Sequence, residues 1–288
     1  MTDIPTPRLP SLIAAPLRDA IRGQVRAIFN DSGRGETPVV RSPDGGLLGA
    51  STVAARVHGD VTSMMVGGVA ALLLQMLHPA VLAGVWDHSN FRTDMIGRLR
   101  RTARFIATTT YGTRADAQGA VARVRAIHAR VSGVTTDGTP YVADDPALLA
   151  WVHVTEATSF LASWLRYGEP DMPAADQDRY FEEMAIMAEV LGADPVPRDR
   201  ASAAALIARM RPALTCDHRT REVAAMVLGQ RAPNLAVAPV QAMTFGAAVD
   251  LLPEWARRMH GLDGPGAARP LVRLGTAGLA RTLRWAFR

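Results

Sequence analysis

Lysine is absent from this chain and cysteine nearly so: all 32 basic residues are arginine, and Cys216 is the one thiol. A single cysteine forms no intrachain disulfide, no thiolate zinc cage and no iron–sulfur cluster. The excess of arginine gives a net charge of +5 and lifts the isoelectric point, because a guanidinium does not deprotonate in any accessible range. That basicity is weak evidence for a nucleic-acid partner. Acidic and basic residues are interspersed, no basic block is interleaved with aromatics, and no nucleic acid is expected. Familiar local signatures are missing too. There is no HExxH, no GxGxxG, no P-loop and no GxSxG, so the usual marks of zinc proteolysis, nucleotide binding and serine hydrolysis are excluded. The first ten residues hold Asp3 and three prolines but no apolar core. No secretory signal is visible, and a cytoplasmic location is expected.

Formal charge is also missing from one long stretch. Between Asp60 and Asp87 no side chain is charged, which is length enough to cross a bilayer. Gln75, His78 and Pro79 near its middle, with Gly67 and Gly68, favour a buried helix or a kinked pair over a span.

What is present fits a folded domain: 48% hydrophobic and 20% charged residues in 288, with ample chain for a core. Helical spacing of apolar residues predicts helices over 12–30, 97–110, 114–131, 147–167, 174–191, 200–211, 220–228, 242–259 and from about 271 to 287. Asp145-Pro146 supplies the N-cap and first-turn proline of the helix over 147–167. Convincing period-2 strands are lacking. Residues 235–240 are the one extended candidate, weakened by Pro239. The expectation is an all-α chain with a single helical domain. Residues 1–44 form an N-terminal arm, helix and irregular connection, residues 45–260 the main helical domain, and residues 261–288 a basic amphipathic helix.

Among seven histidines, His128 stands out. Val121, Val124 and Val131 lie three, four or seven residues from it, so the imidazole points inward along one helical stripe. An inward imidazole in an apolar wall is what five-coordinate haem iron requires. A core histidine bonded to a backbone carbonyl is the commoner outcome of the same pattern, and spacing alone favours it. Arg125, one turn earlier on a neighbouring face, is placed to pair a propionate. Leu149, His153 and Phe160 share another stripe, with Glu156 one turn beyond His153; that acid orients the ring or faces solvent. His78 reads as packing at a kink before Pro79, and His88 as a loop or helix-end residue. Arg98, Arg100, Arg101 and Arg104 fall within seven residues. They form a solvated basic face or a site for an acidic cofactor group.

In order, the segments Gln75-Met-Leu-His78-Pro79-Ala-Val81, Arg98-Leu-Arg-Arg101-Thr102, Tyr111-Gly-Thr-Arg-Ala115, Arg125-Ala-Ile-His128-Ala-Arg-Val131 and Tyr141 through His153 resemble the MpaB-type oxygenases and the more distant latex-clearing proteins. The resemblance runs from about residue 45 to 260, and its specificity lies in the sequence of motifs rather than in any one. It implies a helical fold with a globin-like core, one haem b whose iron is ligated by His128, and dioxygen-dependent cleavage of isoprenoid double bonds. The partners implied are a small apolar alkene and dioxygen. By the same resemblance Arg98, Arg101 and Thr102 match the distal Arg-x-x-Lys-Thr motif, with His153 a distal-pocket or supporting residue. Two positions depart from the pattern. Arg101 stands where the latex enzymes have a lysine able to ligate iron, and Ser132 stands where a later arginine is found. Latex-clearing proteins are also secreted, unlike the expectation for this chain. Two other readings stay open: a haem-binding protein without oxygenase activity, and a haem-free helical binder of an apolar ligand near a membrane. The terminal helix, with Leu271, Leu274 and Leu283 among arginines, suits either lipid contact or docking on the domain.

Overall fold

Apolar residues all round one helix dictate the architecture. In the computed structural model, residues 11–29, 38–43, 45–235, 237–264, 266 and 269–287 are described. Helices α1 (Ser11–Phe29), α2 (Val53–His58), α3 (Val61–Gln75), α4 (Pro79–His88), α5 (Phe91–Tyr111) and α6 (Arg114–His128) fill the first half. A two-stranded hairpin, β1 (Ser132–Val134) and β2 (Pro140–Val142), leads to α7 (Pro146–Tyr167), α8 (Ala174–Leu191), α9 (Arg200–Met210) and α10 (His218–Leu228). Helices α11 (Ala238–Leu251), α12 (Glu254–His260) and α13 (Arg269–Phe287) follow. The expected arm over residues 1–10, and residues 31–37 and 44 of the irregular connection expected over 31–49, lie outside the described residues.

α3 is the centre because it carries no charge and few polar groups. Val66, Val69, Leu72, Leu73 and Leu74 are buried on different sides of it, the pattern of a helix enclosed by others. α7 lies along it, contributing Trp151, Val154, Ala157 and Phe160. The two backbones approach closely at Gly67, where a Cβ would stand 2.8 Å from the Phe160 ring and 2.9 Å from the Ser159 carbonyl oxygen. Side-chain caps fix the helix starts. Asp60 Oδ1 accepts from Ser63 N at 2.8 Å, Thr113 Oγ1 from Asp116 N at 3.1 Å, and Asp145 Oδ1 from Ala147 N at 2.8 Å.

The uncharged stretch is a bent pair: α3 and α4 meet at 104°, and no single described helix is long and apolar enough to cross a membrane. Pro79 opens α4, where its missing N–H costs nothing. Three details differ from the sequence reading. The helix expected to reach residue 131 ends at His128, and a hairpin follows it, with Ser132 paired to Val142 and Val134 to Pro140. Pro239 lies in the first turn of α11 rather than in an extended segment. The helix expected over 242–259 is two, because Leu252 turns extended ahead of Pro253. The described chain is one all-helical domain with that small hairpin.

α13 docks on this body, burying Thr276, Ala280 and Ala286 against its neighbours. Its arginines are anchors. Arg273 Nε donates to the buried Asp250 at 2.7 Å, a carboxylate that Arg166 Nη1 of α7 also reaches at 2.9 Å, and Arg284 Nη1 donates to Asp60 at 3.0 Å.

Candidate functional site: a histidine-lined pocket

Five helices and the two loops that carry Leu48 and Ala193 converge on a mostly apolar pocket. α7 gives Leu149, Val152, His153 and Glu156, a single stripe at helical spacing. α5 gives Phe105, Ile106, Thr109 and Thr110, and α8 gives Met184, Met187, Ala188 and Leu191. His58 enters from the end of α2 and His128 from the end of α6. Leu48 comes from the loop before α2, which is laid on α5 by backbone bonds from Gly46 N to Gly112 O (2.8 Å) and Leu47 N to Thr109 O (2.9 Å). Only glycine suits position 46, because φ is +57° and a Cβ would sit 2.2 Å from the Thr109 carbonyl oxygen.

The polar groups of the pocket differ in how far they are satisfied. His58 is fully engaged: Nδ1 bonds Thr110 Oγ1 at 3.0 Å and Nε2 bonds the Tyr180 hydroxyl at 3.3 Å. Burial pulls its pKa down to about 4. The His128 ring makes no hydrogen bond to the described residues. Burial lowers its pKa against the opposing charge of Asp144. The carbonyl-bonded core histidine is instead His260, whose Nε2 donates to Leu73 O at 2.9 Å. His153 Nε2 is buried with no partner, and burial brings that imidazole down to about 4. Glu156 has no hydrogen bond or ion pair with the described residues, and burial pushes its carboxyl up to about 7. His153 and Glu156 keep part of their surface; as lining residues, they show it to the pocket. At neutral pH the pocket therefore presents neutral imidazoles and a carboxyl close to half-protonated.

The structure gathers His128 and His153 at the pocket but not the other expected residues. Arg98, Thr102, Phe105 and Thr109 follow one stripe of α5, and the last two line the pocket. Arg98 Nη1 is buried without a partner, and burial, then the neighbouring Arg101 charge, brings its pKa down to about 10. Arg101 points elsewhere, donating to Asp94 at 3.3 Å and to Asn90 at 3.0 Å. Thr102 is exposed, its hydroxyl donating to Arg98 O at 3.3 Å. Arg125 Nη1 donates to Val190 O at 3.0 Å, joining α6 to the end of α8. His78 stands at the N-cap position of α4 without a side-chain cap bond, its ring 6.3 Å from Trp151, and His88 Nε2 bonds Ser132 O at 3.0 Å. A larger hollow, lined by Leu161, Phe181, Ile207 and Trp255, holds no histidine.

The family described as "ER-bound oxygenase mpaB/B'/Rubber oxygenase, catalytic domain" matches the chain over residues 55–285. The chain belongs to this oxygenase family. No curated protein and no solved structure matches it. The matched span of this oxygenase domain runs from α2 through α13 and holds every pocket residue except Leu48.

Proposed function

We propose that this oxygenase domain holds one haem b, with His128 as the iron ligand, and uses dioxygen on an apolar, isoprenoid-like alkene. One observation carries the reading: in a domain of this family, His128 lines an apolar pocket with its ring unbonded and its neutral form favoured. Neutral imidazole is the form that ligates a metal. The residues fit the group in other ways. Ten of the sixteen lining residues are aliphatic, Met or Phe, which suits a flat apolar macrocycle. The buried Nη1 of Arg98, which has no partner among the described residues, suits a carboxylate. The pocket as it stands encloses about 90 Å³, so its walls must part to take a tetrapyrrole. Met184 and Met187 on α8 are the adaptable side of it.

Haem bound here supplies the activation of dioxygen. The chain does the rest: His128 holds the group, the apolar walls exclude water and seat the alkene, and the arginines meet acidic groups. Arg98, with its Nη1 unpartnered among the described residues, is the candidate to hydrogen-bond dioxygen or a polar substrate end. Thr102 is exposed on the same stripe outside the pocket lining and would reach it only if α5 moved. Arg125 would have to leave Val190 O to serve as a second partner for a propionate. Arg101 does not replace the latex enzymes' lysine as an iron ligand, because its guanidinium stays protonated and is held by Asp94. The test is oxygen uptake by haem-loaded protein against a panel of prenyl alkenes. Uptake with cleaved product is expected; a haem-loaded protein that consumes no oxygen with any of them contradicts the oxygenase step.

A further inference from the structure

The His153 ring and the Glu156 carboxyl sit one turn apart on α7 and line the same pocket among apolar residues. Among the described residues, Nε2 of His153 is buried without a partner, and the Glu156 carboxyl makes no hydrogen bond or ion pair. We infer that these two groups are the recognition point for a hydroxyl or carbonyl oxygen on the substrate, so that the pocket selects an oxygen-bearing isoprenoid over a pure hydrocarbon. The inference rests on the pocket being the substrate site, as proposed above.

The physical reason is an asymmetry in desolvation. A hydrocarbon pressed against His153 and Glu156 buries both without giving either a hydrogen bond, and unmade bonds of buried groups weigh more against binding than made ones weigh for it. A hydroxyl donates to the imidazole nitrogen or carboxylate and accepts from the carboxylic acid. One hydroxyl therefore suits the pair whether or not Glu156 carries its proton, whereas a carbonyl oxygen, an acceptor only, suits it when Glu156 or His153 Nε2 carries one. The other polar lining side chains are less available. His58 is already bonded to Thr110 and Tyr180, and the Thr109 hydroxyl is bonded to the Phe105 and Ile106 carbonyls of its own helix. His128 is reserved for iron in the proposed reading.

The experiment measures binding of geraniol and of 2,6-dimethylocta-2,6-diene, the same skeleton without the hydroxyl, by equilibrium dialysis against the haem-loaded protein. The alcohol is expected to bind about tenfold more tightly or better, the scale of one well-placed polar contact. His153→Phe and Glu156→Leu should each shrink or reverse that preference, whereas Glu156→Gln, which keeps a donor and an acceptor, should preserve it. Thermal melts confirm that each variant is folded. Equal or tighter binding of the hydrocarbon by the parent protein overturns the inference, as does an unchanged preference in both apolar variants. Its failure is distinguishable from that of the haem reading: a haem spectrum with no preference for the alcohol refutes this inference alone. The preference without a haem spectrum refutes only the haem.

Discussion

His153 and Glu156 lie three residues apart on α7, and both line the pocket that His128 enters from α6. Burial acts on them in opposite senses, raising the carboxyl to about 7 and lowering the imidazole to about 4. Each is thereby biased toward its uncharged form. A pocket built this way keeps polar groups at hand without fixed charge, which suits an apolar substrate.

Glu156 should lower stability at alkaline pH. Its folded pKa, about 7, exceeds the ordinary 4.5, so the folded state holds the proton longer and stability falls as pH rises from 4.5 to 7. Glu156→Gln is expected to be more stable than the parent above that window, by up to about 3 kcal/mol. The gap should close below it. Urea unfolding at several pH values reads this, and a gap that does not vary with pH contradicts it.

The histidines should act the other way. His58 and His153 fall to about 4 from 6.5, so their contribution is complete above 6.5 and is lost as pH falls toward 4. Two such imidazoles outweigh one carboxyl where the windows overlap, and the protein should lose stability on mild acidification. His153→Phe should lose less between neutral pH and pH 5 than the parent, by melting temperature. A parent protein equally stable at both would contradict the buried neutral pair.

Gly67→Ala should destabilise the domain by about 1–3 kcal/mol, because the added methyl meets the Phe160 ring and the Ser159 backbone. The neighbouring Gly68→Ala meets only the ring at 3.7 Å, and should cost far less. Chemical denaturation of the two variants checks the closeness of the α3–α7 contact.

The helices that the sequence announced best are those with a local stop or start. Asp145-Pro146 marks α7, and both it and α8 stand within a residue of where they were expected. The hairpin was illegible because strands of three residues are too short for alternation to register. Pro253 was visible, yet a proline inside an apolar pattern kinks a helix as readily as it ends one. At the site, the stripe of Val121, Val124 and His128 was readable from one helix. His58 was not, since a six-residue helix carries no pattern and only its tertiary partners Thr110 and Tyr180 reveal it. Glu156 was left between orienting the His153 ring and facing solvent. The wall that decides the matter, Met184 and Met187, lies some thirty residues later on α8.

The absorption spectrum of the purified protein, expressed with haem precursor and recorded oxidised and dithionite-reduced beside His128→Ala, tests the central claim most directly. A Soret band is expected in the parent and is lost or greatly reduced in the variant while the helical fold persists. Stoichiometric haem retained by His128→Ala, or no Soret band in a well-folded parent given haemin, would contradict it.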